Sequence, residues 1–455
     1  MVAGMQDKVL APEARDRYVS EFRRFAGNGA GDAPAWLREI REAAIARFAE
    51  LGFPTMRQEE WRFTSVAPIV ETPFALAYPQ QSAGVSPRDI EPFLAGGAGR
   101  HCIVFLNGAF AEELSSLGRL PAGVKVGSLA AALETEPELA RQHLARYARY
   151  DSNAFTALST AFAHEGAFVY VPPDALVDKP LQLLFVCTAD HGQRVSHPRN
   201  LVVVDRGARA TVVETYAALT DATYWTNAVT EVVVGDGARA DYYRIQRESQ
   251  QAYHVATTQC HQGRDSVVAL HAIALGAALA RHDINAVLDG TGGELLLNGL
   301  YVLGRQQHVD HHTVIDHAKP HCESHEFFNG ILDDHAHGVF NGRIIVRKGA
   351  QRTDSKQTNN NLVLSEHARA DSQPQLEIYA DDVKCTHGAT LGPLDEMALF
   401  YLKTRGVGPE EARSLLTYGF GAEILARMQI AELRDQLERL VRAWLHEGVR
   451  RRQAA

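Results

Sequence analysis

Between Asp381 and His387 the chain reads DDVKCTH, which sets a thiol and an imidazole one residue apart. On a β-strand alternate side chains leave on the same face, so Cys385 and His387 emerge together. Such a pair can attack a carbonyl as an activated thiolate, or it can ligate a soft metal. No G-x-S-x-G elbow and no cysteine-protease signature accompanies it. Two ligands are also half of what an iron–sulfur cluster requires, although histidine sometimes replaces cysteine there. Half a site on one chain implies that the other half comes from elsewhere. A core cysteine beside a capping histidine is the plainer reading, and the residues alone leave both open.

Eight of the 20 histidines fall between His308 and His337. Imidazole binds transition metals, and Cys322 with His325 has C-x-x-H spacing. On a strand, however, His311 and His312 point opposite ways. His317, His321 and His325 share a face only on a helix, which Pro320 opposes. No H-E-x-x-H occurs, since His325-Glu326 is followed by Phe327 and Phe328. A solvated or inter-subunit histidine ladder is therefore favoured over a metal site, and its titration near neutrality would make an assembly pH-sensitive.

Strands must carry these residues, and the texture from Gly166 onward supplies them. Short runs rich in Val and Leu recur, each stopped by Gly, Asp or Asn. NLVVVDRGARA (200–210) and TEVVVGDGARA (230–240) repeat with an offset of 30 residues, and NLVLSEHARA (361–370) matches both. Looser copies are AVLDGTGGELL (286–296) and IIVRKGAQR (344–352). A short apolar strand, a tight turn and another strand, repeated many times, predict a solenoid in which each coil buries its apolar side chains against its neighbours. The prediction is a mainly β chain with a parallel β-helix over residues 166–388, and Val203 and Val233 pointing into it. The competing reading of the same texture is a large antiparallel sandwich.

Helical regions flank this core. In residues 33–52, Leu37, Ile40, Ala44, Phe48 and Leu51 form one stripe, with Asp32 as cap, Pro34 in the first turn and Gly52 as stop. RQEEWRFTS (57–65) is expected to be a solvated helix end anchored by Trp61. His101–Leu106 should be a strand entering the turn Asn107-Gly108, and the Ala- and Leu-rich pattern from Ser128 to Phe162 is helical. The organisation is thus residues 1–165 mostly helical, 166–388 solenoid and 389–455 helical. The tail should hold a helix from Asp395 to Arg405 stopped by Gly406, and a second opened by Gly408-Pro409. The last helix carries Ile430, Leu433, Leu437, Leu440 and Trp444 on one stripe, to be covered by its own domain or by a partner. If stacked coils depend only on nearest neighbours, this tail should be removable without unfolding them.

Composition narrows the function classes. The formal charge of −9, with no basic block beyond Arg450-Arg451-Arg452, argues against a nucleic-acid footprint. No apolar run reaches a membrane span, and the first residues lack the apolar stretch of a signal peptide, so a cytoplasmic, soluble chain is expected. The five cysteines stand far apart and suit reduced thiols. G-x-x-x-x-G-K-[ST] is absent, so any nucleotide energy must be supplied by a partner.

From Val309 to Arg405 the chain resembles the SufD branch of the SufB/SufD family of iron–sulfur cluster assembly scaffolds. VDHHTVIDHAKPHCES, VFNGRIIV, AQRTDSKQTNNNLVLSEHARADSQPQLEIYADDVKCTHGAT and LDEMALFYLKTRG carry the resemblance, and RQEEWRFT and FLNGAF extend it more weakly. SufB-like chains have a later Glu-His-Glu type sequence where this chain has Cys-Thr-His-Gly. Glu326 and Asn329 stand where the family often shows a Gln and a basic residue before Gly330. The resemblance implies a right-handed parallel β-helix between helical regions and a non-catalytic scaffold. It implies pairing with a SufB-like paralogue along a shared β-helix edge, and binding of a SufC-like ATPase dimer by the C-terminal helices. ATP turnover in that partner would move the scaffolds and expose buried ligands. His387 would face a paralogue cysteine at the interface, with the role of Cys385 less defined. Persulfide sulfur would enter through the paralogue, and SufD-type chains are linked to iron supply. No cofactor would be tightly bound to the isolated chain, which can pair with itself, whereas iron or a cluster would be held transiently at the interface.

Two other classes compete. A polysaccharide-acting β-helix enzyme would need paired carboxylates in a cleft. The doublets Asp333-Asp334 and Asp381-Asp382 diverge if they lie on strands. A stand-alone histidine-rich metalloenzyme would carry its metal without partners.

Overall fold

A computed structural model describes residues 12–27, 33–77, 84–95, 100–188 and 193–454. The N-terminal region carries helices α1 (Pro12–Gly27), α2 (Ala35–Leu51), α3 (Ala67–Glu71), α4 (Pro87–Ile90), α5 (Leu129–Thr135), α6 (Pro137–His143) and α7 (Ala154–Ala161). Among them lie strands β1 (Ala75–Leu76), β2 (His101–Leu106), β3 (Ala109–Ser116) and β4 (Lys125–Ser128). The strands that follow are β5 (Ala167–Val171), β6 (Leu181–Cys187), β7 (Arg194–Ser196), β8 (Arg199–Val204), β9 (Arg209–Ala218), β10 (Trp225–Val234), β11 (Arg239–Arg247), β12 (Tyr253–Gln262) and β13 (Val267–Ala274). They continue as β14 (Leu279–Leu288), β15 (Glu294–Leu303), β16 (His308–His317), β17 (Glu323–Leu332), β18 (His337–Val346), β19 (Thr353–Val363), β20 (Arg369–Ile378) and β21 (Val383–Gly392). Helices α8 (Glu396–Thr404), α9 (Pro409–Leu425) and α10 (Ala431–Ala454) close the chain.

From β8 onward the strands alternate between two sheets. The first runs β20-β18-β16-β14-β12-β10-β8-β5-β4, and the second β21-β19-β17-β15-β13-β11-β9-β6-β2-β3. Neighbours within each winding pair in parallel, and the result is a β-solenoid of about seven turns, as expected, rather than an antiparallel sandwich. One row shows why the coils stack. Val202, Val232, Cys260, Ala286, Ile315 and Ile344 lie in register and are fully buried in the lumen. Each large side chain in such a row contributes about 1.5–3 kcal/mol, and only the adjacent coils supply its cover.

The repeated sequences are corners. NLVVVDRGARA and TEVVVGDGARA each span a strand of the first sheet, a turn and the start of a strand of the second, with Asn200 opposite Thr230 and Arg209 opposite Arg239. The copies at 286–296 and 344–352 occupy the same corner. NLVLSEHARA does not: it joins β19 to β20, the opposite corner. The two corners look alike in sequence because both require an apolar strand and a chain reversal. The first corner takes a left-handed residue in successive coils, Gly207, Gly237, Asp265, Gly292, His321 and Arg352. At Gly207 a Cβ would also meet Asp174 Oδ1 at 2.3 Å.

Val203 and Val233 are in register and buried, but they face away from the lumen. They pack against Leu129, Leu133 and Leu144 of the N-terminal region, because a parallel sheet here is covered on both faces. That cover is fastened by Glu231 on β10. Its carboxylate accepts the N–H groups of Ala145, Tyr147 and Ala148 at 2.7, 2.7 and 2.9 Å, and pairs with the fully buried Arg199 at 2.8 Å. Farther along, Tyr18, Phe48, Phe53, Phe155 and Trp225 form an aromatic cluster beneath α1, α2 and α7. Helix α2 ends at Gly52 (φ 62°) as expected, and Pro34 is its N-cap residue; Asp32 lies outside the described residues. The strand His101–Leu106 and the Asn107-Gly108 turn, both residues with positive φ, also match expectation. In contrast, Ser128–Phe162 is three short helices with connecting loops, not a continuous helical run.

At the other end α9 and α10 lie on the outer face of the second sheet. Ile424, Leu425, Leu433, Leu437, Val441 and Leu445 cover Val213, Tyr243, Ile245, Ile273, Leu300, Val302 and Ile331. Ile430, Leu433 and Leu437 of the expected stripe are thus buried by the chain's own domain, whereas Leu440 and Trp444 are partly buried and Val441 and Leu445 continue the buried face. Gly421 permits the approach, since a Cβ there would stand 3.3 Å from Ile331. Helix α8, capped by Asp395 and followed by Gly406 (φ 84°), has no buried residue.

Candidate functional site

The windings end at β20 and β21, each hydrogen-bonded to a strand on one side only. The opposite end is closed by the antiparallel partners β3 and β4. Among the described residues the β20/β21 edge has no such cover, so it presents a row of unpaired N–H and C=O groups. Burial falls accordingly: β19 alternates buried and partly exposed positions, β20 is half-buried, and β21 is mostly exposed.

Cys385 and His387 lie on this last strand and share the lumen face. Cys385 packs against the core while His387 is exposed at the mouth. Register places Cys385 over Ser355 and His387 over Gln357. Beneath Cys385, Ser355 bonds Ser324 at 2.7 Å, and Ser324 bonds Nε2 of His317 at 2.9 Å. Beneath His387, Gln357 Nε2 donates to Glu326 Oε2 at 2.6 Å. A lumen lined by Leu295, Leu297 and Leu303 on β15 thus becomes polar within two coils. Burial pushes the Glu326 carboxyl up to about 7. Burial and the neighbouring Asp354 carboxylate raise the Cys385 thiol. The thiolate is therefore disfavoured, which argues against a nucleophilic cysteine.

The eight histidines between His308 and His337 form no continuous ladder: His308 and His337 alone among them meet in register, with ring centroids 4.6 Å apart. His311 and His317 are buried in the lumen, held far below the usual imidazole range by burial, at about 3 and about 4. His312 faces the opposite side from His311, as alternation requires, and pairs with Asp310 at 3.1 Å. His321 is a left-handed corner residue. His337 bonds Asp371 at 2.7 Å, His308 bonds Thr64 at 2.8 Å, and His335 stacks on His367. Cys322 is buried with its thiol on Gly290 O, whereas His325 is half-exposed on β17, so the C-x-x-H spacing builds no site. The described residues contain no group of three or more His, Cys, Asp or Glu side chains arranged to hold a metal ion.

Trp61 anchors the RQEEWRFTS segment as expected, with the Arg281 guanidinium 3.8 Å above its ring. It borders a groove of about 480 Å³ over the first sheet. There Arg281 pairs with Asp283 and Asp310, Arg347 with Asp316 and Arg343 with Glu377, so these three arginines are neutralised internally. Next to the open edge lies a second feature that sequence reading did not isolate. Ile378, Tyr379, Leu391, Met397, Phe400 and Tyr401 are all exposed, the three on α8 at 73%, 62% and 57%. Met397, Phe400 and Tyr401 recur at helical spacing, which is the signal that locates their shared face. No helix among the described residues is long and apolar enough to cross a membrane.

Two family models match the chain: the SufBD protein N-terminal region over residues 12–183, and the SufBD core domain of the SUF system for FeS cluster assembly over residues 185–420. An iron–sulfur cluster assembly SufBD family protein of Synechocystis is 33% identical over 413 residues, 88% of this chain and 89% of the relative. The iron–sulfur cluster assembly protein SufD of Escherichia coli is 29% identical, covering 86% of this chain and 89% of its own length. SufD of Bacillus subtilis is 28% identical, covering 89% and 93%. The chain belongs to the SufBD family of iron–sulfur cluster assembly proteins and is SufD-like.

Proposed function

We propose that this chain is a non-catalytic scaffold that supplies half of an assembly site for iron or a nascent iron–sulfur cluster. The observation that carries the reading is an exposed imidazole, His387, on the unpaired edge strand of an otherwise closed solenoid. One imidazole nitrogen can bind iron but cannot hold a cluster alone. The remaining ligands come from a second solenoid, a SufB-like paralogue docked strand to strand along β20 and β21. Cys385 stands beside His387 as a further ligand once a metal draws off its proton. Without that paralogue, the same edge serves for self-association. The exposed face of α8 takes a SufC-like ATPase, whose turnover moves the two scaffolds against each other. Iron and cluster are cargo here and are not resident in the isolated chain.

The test is iron and acid-labile sulfide content in the complex co-purified from cells, with His387→Ala compared to wild type. Cluster yield should fall while the complex still assembles, because an exposed side chain is a small part of a strand-pairing interface. Unchanged yield with His387→Ala, joined to loss with His311→Ala or His317→Ala, would move the metal site into the lumen and refute the assignment. In the same preparations, Met397→Asp/Phe400→Asp should release the ATPase and leave the paralogue bound.

A further inference from the structure

The residue beneath His387 is oriented to hold its ring. Gln357 is 1% exposed, and its amide is fixed at two points. Nε2 donates to Glu326 Oε2, one strand below. The same amide group lies against Gly342 on β18, where a Cβ would stand 2.3 Å from Nε2 and 2.8 Å from the amide carbon. Any larger residue at position 342 would displace the amide. With its nitrogen committed to Glu326, the amide keeps its carbonyl, and Gln357 Oε1 is buried with no hydrogen-bond partner. A buried, unpartnered carbonyl is costly unless something in another state uses it. The side chain directly in register above it, on the lumen face and toward the open mouth, is His387.

We propose that Gln357, oriented by Glu326 and accommodated by Gly342, is the positioning residue for His387: its carbonyl accepts one imidazole N–H and leaves the lone pair of the other nitrogen directed out of the open coil. This rests on the reading of His387 as a ligand. Histidines that bind metals generally donate their second N–H to an outer acceptor, which fixes the tautomer and raises basicity. In the isolated chain that carbonyl has no partner and His387 is exposed; covering the edge strand with the paralogue brings the ring onto it, so the acceptor is engaged before the metal arrives. An amide suits the position better than a carboxylate would, because it withholds negative charge from the mouth and leaves the charge to the incoming ligands.

The experiment separates this proposal from the ligand assignment. In the complex with the paralogue, prepared free of metal and with ¹⁵N-histidine in this chain alone, NMR reports the His387 tautomer, with the resonance assigned by its loss in His387→Ala. The expected result is one dominant tautomer in wild type and the mixture of a free side chain in Gln357→Met, which keeps side-chain length without the carbonyl. The exchange variant Glu326→Gln/Gln357→Glu restores an acceptor beneath His387 and should restore the single tautomer. In the assembled complex, Gln357→Met should lower iron affinity about 10–100-fold, as loss of an outer-shell partner does. A wild-type His387 showing the free-side-chain mixture, or a tautomer unmoved by Gln357→Met, overturns the proposal; the wild-type spectrum decides even if the variants fail to fold. Failure of the ligand assignment reads differently, as unchanged cluster yield in His387→Ala with the tautomer still set by Gln357.

Discussion

Removing residues 407–455, which deletes α9 and α10, is expected to unfold the solenoid, contrary to the nearest-neighbour expectation from the repeat alone. The two helices are the outer cover of the second sheet. Val213, Tyr243, Ile245, Ile273, Leu300, Val302 and Ile331 are each at most 1% exposed beneath them. Uncovering seven such side chains at about 1.5–3 kcal/mol each forfeits on the order of 10–20 kcal/mol, an upper estimate because denatured chains retain some burial. That matches or exceeds the roughly 5–15 kcal/mol by which a domain is stable at all. The polar anchors go as well: Gln429 N–H to Tyr243 Oη at 3.0 Å, and Asn329 Nδ2 to Phe420 O at 2.9 Å. Urea unfolding followed by circular dichroism, with dye binding to report exposed apolar surface, measures the effect. The graded control is Leu437→Ala, which should cost about 2–5 kcal/mol because Leu437 is fully buried in the same interface. A truncated chain with the wild-type midpoint and slope would refute the argument and restore the self-sufficient stack.

Glu231→Ala should cost about 3–5 kcal/mol, because it strands a fully buried Arg199 and three backbone N–H groups. Chemical denaturation of the full chain checks it, and a loss under 1 kcal/mol would mean that water reaches the site. Acid should destabilise the protein below about pH 6.5. Burial holds His197 and His311 near 3, and His271, His308 and His317 near 4. These rings stay neutral when folded but take protons when unfolded from about 6.5 downward, so stability present above that value is lost as pH falls. Glu165 and Glu326, raised by burial to about 7, act oppositely: they bind protons when folded, and their contribution is lost as pH rises through that value. Five imidazoles outweigh two carboxyls, so the unfolding free energy should drop by a few kcal/mol per pH unit near pH 5.5; a flat profile between pH 6.5 and 4.5 would contradict the burial of the histidines.

Much of the architecture was legible in the amino-acid order because the solenoid is local in construction. A short apolar strand and a left-handed corner recur about every coil, and the repeat at 200–210 and 230–240 reports one coil directly. The shared face of Cys385 and His387 followed from alternation alone. The period and caps of the terminal helices were equally local, as Asp395, Gly406 and Gly408-Pro409 demonstrate. What those features cover was not. Val203 and Val233 sit in runs of valine with no alternation to mark a side, since both faces of a parallel sheet are buried, and the N-terminal helices decided which way they pack. NLVLSEHARA matched the other repeats yet turns the opposite corner, because both corners impose the same local demands. The column His387, Gln357, Glu326 joins residues about one coil apart in the chain, and Gly342 faces it from the other sheet. Coil lengths vary with the corners, so register, and with it which polar groups meet in the lumen, exists only once the coils have stacked.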